Sequence, residues 1–525
     1  MLIFSAVVVP IRALLALATV VAGAAVMAVE VAGARLLGPF FGVSLFVWTA
    51  LITVTLGCLA VGAALGGSLA DSGRSPDLLF GLLAAAGAAA LLVPVARPVV
   101  LAAAAPLGPR FGAVAAAALL FGPCLLPLGA VSPWVVRLVA GDLSHVGRAA
   151  GYLGAASTVG SLAGTLATGF FLVAWVGVSR VFTLAGALLL GLAAVYFVVF
   201  RRRWGALVLV VLAAAVPGEP GPVSKVMANG TTVTEVARRE GFYGRVQVVD
   251  YRYGAAHTRE MLIDGLVQGG VDTASGLSVY EHVYFLELLS RAARPAARSC
   301  LVIGLGPGLV PSWFERQGVR TDVVEINPDV VDLAREHFGW RPSGRVRIED
   351  ARRVLREPGE SYDLVILDVF TGDATPGHLL TREALRDLRG HLAPGGLVAL
   401  NLAGSLRSET FGTASLVKTL ENAFASVQLR PTFDPGQGEG WGNIVVLASD
   451  AALPPAEASL GPTPPVHPMA RSAVERFLHT TFRFSPGTAA EVLTDDGPPL
   501  DLRDAWLRER IRRGLLEATD WSVLS

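Results

Sequence analysis

The chain has 525 residues, of which 53% are apolar and only 16% charged, and its net charge is zero. Soluble domains carry roughly 25% charged residues, so composition excludes an ordinary cytosolic enzyme, and a balanced charge gives no pull toward a nucleic acid. The three scattered cysteines, Cys58, Cys124 and Cys300, form neither a disulfide framework nor a metal-binding pattern, and no metal is expected.

The first 217 residues are rich in Ala, Val, Leu and Gly and contain no lysine. A bilayer span needs roughly 20 apolar residues, and 11–37, 45–70 and 78–96 each supply one. Further apolar stretches occupy 99–107, 111–136, 149–176 and 181–200, with a short last one at 204–216. A multispanning membrane domain of six to eight helices is therefore expected over 1–217, with the lipid bilayer as partner and the cell membrane as location. The first span reads as a membrane helix rather than a cleaved leader, because similar spans follow it. Gly62 with Gly66 and Gly160 with Gly164 stand at helical spacing, which lets helices approach closely in lipid. Glu30 and Arg35 lie in or beside the first span. A charge there is costly, so Glu30 is expected to meet Arg35 or Arg137, or to line a ligand site. Arg201, Arg202 and Arg203 form the strongest positive cluster and belong on the cytoplasmic side. A helix over 204–216 would be only about 20 Å long, short of the roughly 30 Å hydrocarbon core. An interfacial or re-entrant segment follows from that, which leaves the second half of the chain cytoplasmic.

Pro217-Gly218-Glu219-Pro220-Gly221-Pro222 can continue neither helix nor strand and marks the domain boundary. Residues 218–275 read as a small antiparallel β-domain, with strands at 243–250 and 260–264 and an Asp264-Gly265 turn. Residues 276–450 read as an α/β domain and 451–525 as a partly helical extension. A helix is predicted over 278–293. The apolar strand 299–303 then runs into Gly304-Leu305-Gly306-Pro307-Gly308, where the glycines let backbone approach a ligand and the following helix N-terminus favours polar groups. About 20 residues on, a second strand ends at Glu325, whose carboxylate can accept from both hydroxyls of a ribose. A third ends at Asp350, followed by Ala351, a fourth at Asp368, and a fifth runs through 395–401. Taken singly, a strand-end Asp is more often a helix N-cap. Taken in order at the carboxyl edge of an open sheet, the set points to a nucleoside site.

The run 262–268 with its Asp264-Gly265 turn and Gln268, then Asp272 and Tyr280-Glu281-His282, resembles the entry to the catalytic domain of the spermidine synthases. The glycine loop, Glu325-Ile326-Asn327-Pro328, Glu349-Asp350-Ala351, Asp368-Val369-Phe370 and Gly440-Trp441-Gly442-Asn443 follow in that family's order. The preceding bundle resembles that of bacterial multispanning spermidine-synthase-like proteins, at Glu30, Arg35, Pro39-Phe40-Phe41-Gly42 and 160–164. The resemblance implies a helical membrane bundle followed by a Rossmann-like methyltransferase fold of the spermidine-synthase type with a small N-terminal β-sheet, and leaves a homodimer open. It implies a polyamine aminopropyltransferase whose co-substrate is decarboxylated S-adenosylmethionine and whose acceptor is a polyamine. Gly304, Gly306, Gly308, Glu325, Asp350 and Ala351 would then bind the nucleoside, Asp368 would be the base, and Asp272, Glu281, His282 and Asp373 would hold the acceptor.

The departures lie on the acceptor side. The loop position where the family carries an amine-binding Asp is Pro307. The Gln that usually follows the early Tyr is Gly244, the usual second Asp after the base is Thr371, and a late Tyr is replaced by Phe433. Three readings follow: an aminopropyltransferase, an enzyme using S-adenosylmethionine itself with another acceptor, and a transporter or sensor that binds nucleoside or polyamine without turnover.

Overall fold

The computed structural model describes residues 2–42, 45–72, 75–140, 146–208, 211, 224–370, 376–438, 440–455, 464–497 and 509–510. The chain divides into two compact units, one of Met1–Gly221 with Glu240–Gly244, the other of Pro222–Arg239 and Arg245–Leu515.

The first unit is helical: α1 (Leu2–Phe41), α2 (Leu45–Asp71), α3 (Pro76–Ala104), α4 (Gly108–Gly129), α5 (Val131–Val139), α6 (Val146–Ala167), α7 (Val173–Val176) and α8 (Val178–Arg201). A π turn, Thr168–Leu172, joins α6 to α7. Among the described residues, five stretches are long and apolar enough to cross a bilayer: Ile11–Phe41, Phe46–Asp71, Pro76–Val139, Val146–Val176 and Val178–Arg201. Two boundaries differ from the sequence expectation. No break separates 78–96 from 99–107, because α3 carries Pro94 and Pro98 inside it; apolar helices tolerate proline where neighbours satisfy the freed carbonyls. The stretch 111–136 is interrupted after Gly129. Pro133 has no N–H to offer the Gly129 carbonyl four residues back, so the helix restarts there.

Small residues carry the packing of this unit. A Cβ on Gly160 would lie 2.0 Å from the Val20 carbonyl oxygen, and one on Gly164 2.5 Å from that of Ala24. A Cβ on Gly62 would likewise lie 2.2 Å from the Leu126 carbonyl oxygen, and one on Gly66 2.5 Å from the Ala130 Cβ. Close backbone approach of this kind is the packing that small residues permit between helices. Leu56, Leu65, Val95, Phe111 and Leu162 face outward, as apolar side chains do on helices solvated by hydrocarbon. The expected pairing of Glu30 is not found among the described residues. Arg137 sits 3.5 Å from Asp71, and Arg35 donates to the main-chain carbonyl of Phe242, in the same unit. Arg97, which sequence reading passed over, is buried in α3 with its guanidinium 5.4 Å from the Phe40 ring centroid.

The second unit opens with a five-stranded sheet, β1 (Ser224–Val226), β2 (Thr232–Gly241), β3 (Gly244–Tyr253), β4 (Ala256–Ile263) and β5 (Leu266–Asp272), in sequence order. Asp264 and Gly265 both adopt positive φ between β4 and β5, as a two-residue hairpin turn that follows strand twist requires. Helix α9 (Glu281–Ala293) leads into a seven-stranded sheet of β6 (Ser299–Ile303), β7 (Arg320–Glu325), β8 (Val346–Ile348), β9 (Tyr362–Leu367), β10 (Leu392–Ser405), β11 (Ser426–Pro431) and β12 (Trp441–Ser449). Its order is β11-β12-β10-β9-β6-β7-β8. The five strands from β10 to β8 run parallel, and β12 is antiparallel to both of its neighbours. Alternate residues feed two separate cores. Val302, Leu364 and Ile366 pack on one face; Leu301, Ile303, Val365 and Leu367 pack on the other. Burial on both faces explains why these strands read as continuous apolar runs. This is the Rossmann-like α/β fold with a small preceding sheet. The winding reverses between β6 and β9, and in such sheets the ligand crevice opens at the carboxyl ends of the strands where the order reverses.

Candidate functional site

Gly304 follows β6 with φ +88°, and its N–H donates to the Val324 carbonyl at 2.9 Å. A Cβ there would lie 2.2 Å from the carbonyl oxygen of Asp368. Only glycine therefore lets the ends of β6 and β9 close on one another, and this brings the glycine loop and Asp368 to the reversal point. Gly306 faces the Gln268 carbonyl of β5, at 3.2 Å from where its Cβ would be, and the Pro307 ring packs on Gly269. Gly308, at φ +78°, is covered by Trp340 and precedes α10 (Leu309–Arg316). The small sheet thus contributes β5 as a wall beside the loop.

Glu325, at the end of β7, accepts from the backbone N–H of Leu305 at 2.9 Å and of Asn327 at 2.8 Å. Burial pushes its carboxyl up, partly offset by those backbone donors. A carboxylate has about four acceptor sites, so the Leu305 amide of the loop and the Asn327 amide at the next helix start leave capacity for hydroxyls. Asn327 caps α11 (Pro328–His337) through Asp329 N–H. Asp350 caps α12 (Ala351–Arg356), accepting from the Arg353 N–H at 3.2 Å. Its second oxygen lies 3.5 Å from His378 Nε2, and Ala351 beside it is buried. One oxygen of Asp350 therefore caps the helix, and the other faces His378.

Asp368 follows β9. Its Oδ1 accepts from Asn401 Nδ2 at 2.9 Å, and its N–H donates to the Ile303 carbonyl at 2.9 Å. Glu281 is the first residue of α9 and accepts from Thr432 Oγ1 at 3.2 Å. His282 Nδ1 is buried without a hydrogen-bond partner among the described residues. Tyr280 donates to Glu260 of β4 at 2.8 Å. Burial raises the Glu260 carboxyl, with the Tyr280 bond opposing, and burial followed by the Glu260 charge raises the Tyr280 phenol. Asp272 has a different engagement: its Oδ2 accepts from the Ser275 N–H and hydroxyl, and that hydroxyl bond is the main cause holding its carboxyl below the ordinary range. It closes the turn after β5. Thr371 and Asp373 lie outside the described residues. Phe433 packs its ring on Gly442 of β12.

Four participants escaped sequence reading: Asn401, Thr432, His378 and Glu260. Asn401 had a visible signal, as a polar residue inside an apolar strand run. Glu260 had one too, as an acid in an alternating strand. Thr432 and His378 had none, being ordinary loop residues. Among the described residues, no group of three His, Cys, Asp or Glu side chains could hold a metal ion.

A methyltransferase-domain family model matches residues 301–400, the part of the chain from β6 to β10. A polyamine aminopropyltransferase of Mycobacterium tuberculosis (strain H37Rv) is 28% identical over 390 residues, 69% of this chain and 72% of that protein. That share exceeds what lies after Gly221, so the likeness reaches into the apolar helical half. Over that span the chain is similar to a polyamine aminopropyltransferase. A second protein of that name, from Vibrio vulnificus, is 30% identical over 189 residues, 34% of this chain and 60% of that protein. An N-terminal histidine N-methyltransferase of Emericella nidulans is 32% identical over 160 residues, 29% of this chain and 28% of that protein. The chain thus covers less than two thirds of the length of these last two relatives.

Proposed function

We propose that this chain is a membrane-bound transferase of the spermidine-synthase type. It moves the aminopropyl group of decarboxylated S-adenosylmethionine to a polyamine such as putrescine and releases methylthioadenosine. The observation that carries this reading is Asp368 at the reversal point of the sheet, against Gly304 and tied to Asn401.

In the reaction, the lone pair of a neutral amine forms a C–N bond at the carbon beside the sulfonium. The C–S bond breaks and its electron pair stays on sulfur, so the leaving group is a neutral thioether and needs no acid. The amine proton passes to Asp368 as general base. Glu325 and the Asp350 oxygen beside His378 hold the ribose and adenine; Gly304, Gly306 and Gly308 give the loop the backbone turn that sets it against them. Glu281, with Thr432 beside it, His282 and Asp373 are the groups assigned to the far ammonium of the acceptor. Asp272, held by Ser275, is the weakest of the acceptor candidates. Positioning and desolvation of the amine supply most of the rate. The apolar helices anchor the enzyme in the cell membrane, with the α/β unit in the cytoplasm.

A second reading is favoured by Pro307. A ring packed on Gly269 offers no charge to the donor's aminopropyl ammonium, so intact S-adenosylmethionine, with its carboxylate, is the alternative donor. The test is release of methylthioadenosine by the full chain in detergent, given putrescine and either donor. Release with the decarboxylated donor alone supports the first reading. Formation of S-adenosylhomocysteine from the intact donor would replace it with the second.

A further inference from the structure

We propose that Asn401 is a positioning residue for Asp368, fixing which oxygen of that carboxylate receives the amine proton. The proposal rests on the transferase reading above. Strands β9 and β10 run parallel with Leu367 opposite Leu400, so the next residues, Asp368 and Asn401, stand side by side just past the end of β9. Asn401 is 0% exposed. Its Nδ2 donates to Asp368 Oδ1 at 2.9 Å, and its Oδ1 is buried with no partner among the described residues.

The backbone of Asn401 lies in the ladder with β12, opposite Val445. Its neighbours Leu400 and Leu402 meet the needs of the same strand with apolar side chains. An amide that leaves its carbonyl unpaired in this position is worse for the strand than a leucine would be. What the amide does provide is a donor held rigidly against one oxygen of Asp368. Oδ1 is then occupied, and Oδ2 is left as the proton acceptor. Because Asn401 is enclosed by the sheet it cannot swing aside, so the plane of the carboxylate is fixed relative to the glycine loop. Groups held in this way by their neighbours keep the geometry that proton transfer needs.

The experiment compares the full-length wild type in detergent with Asn401→Leu, Asn401→Ala and the exchanged pair Asp368→Asn/Asn401→Asp. It measures kcat and KM by methylthioadenosine release, methylthioadenosine affinity, and thermal unfolding. Asn401→Leu is expected to lower kcat by at least about tenfold, with KM and methylthioadenosine affinity within about threefold of wild type. Asn401→Ala gives the same split should the leucine variant not fold. The exchanged pair restores the hydrogen bond with its partners reversed but moves the carboxylate into the buried strand position, so turnover does not return. A folded Asn401→Leu protein with more than about half the wild-type kcat overturns the proposal. So does an exchanged pair with wild-type turnover, since the bond alone would then suffice. A wild type that turns over while Asn401→Leu is unimpaired sinks this inference alone; a wild type with no release sinks the transferase reading and this inference with it.

Discussion

At the residue scale, the strand-end acids do unlike things. Asp350 gives one oxygen to a helix cap, Glu325 gives both oxygens to backbone amides, and Asp368 is held by a side chain. Asp368→Asn keeps shape and hydrogen bonding but cannot take a proton. Turnover should fall by about 100-fold to 10,000-fold while methylthioadenosine affinity changes little. If Asp368 were only a cap, asparagine would serve nearly as well, and an assay of release on that variant decides between the two. Glu325 gives a pH prediction. Its carboxyl is raised above the ordinary glutamate value by burial, so it gains a proton at a higher pH than an exposed glutamate does. Protonation removes acceptor capacity. Methylthioadenosine affinity should therefore be full above the raised value and weaken as pH falls through it. A calorimetric pH series should show that slope in the wild type and lose it in Glu325→Gln. Equal slopes in both would remove Glu325 from the ribose site.

At the element scale, two helices carry testable features. In α6, a side chain on Gly160 would strike the Val20 carbonyl, whereas one on Gly154 meets nothing within 4 Å. Gly160→Leu should lower the unfolding temperature of the detergent-solubilised protein by several degrees, an overpacking cost of about 1–3 kcal/mol. Gly154→Ala should leave it unchanged or raise it slightly, since alanine is the better helix former by about 1 kcal/mol. Similar values for the two variants would mean that α1 and α6 are not in contact through this glycine. In α9, Glu287 is buried among Phe285, Leu286 and Leu288, and burial raises its carboxyl well above the ordinary value, opposed weakly by Arg316. The folded chain keeps this proton to a higher pH than the unfolded chain does. Stability is thus greatest below the ordinary glutamate range and declines as pH rises toward the raised value, by about 1.4 kcal/mol per pH unit. Glu287→Gln should raise the unfolding temperature at neutral pH and have little effect near about pH 4. A gain of equal size at both would point to packing instead of ionisation.

At the scale of the whole molecule, the chain joins an apolar helical unit to an α/β unit with its own two-faced core. The helices turn large apolar side chains outward over several turns, which in water would form a patch far larger than the few hundred Å² that soluble monomers expose. The expressed chain should therefore sediment with membranes, resist an alkaline wash, and be released by detergent. Release by the alkaline wash alone would mean that the helices do not cross the bilayer.

What the sequence by itself determined follows from local rules. Apolar length made the helical half legible, because a span depends on consecutive residues alone. The order of Gly304, Glu325, Asp350 and Asp368 at successive strand ends was legible because periodicity and turn chemistry are local. The same locality misled at Pro98 and at 111–136, where tertiary surroundings decide whether a proline breaks a helix. It also could not sort the acids. Asp272 closes a turn and Asp350 caps a helix through partners only three residues away, yet the ligand-facing alternative has the same sequence signature. Asn401 and Asp368 are 33 residues apart and meet only because β9 and β10 pair in one register. The tertiary structure alone decides such a pairing, because strand register is set by which apolar faces bury together and not by any pattern near either residue.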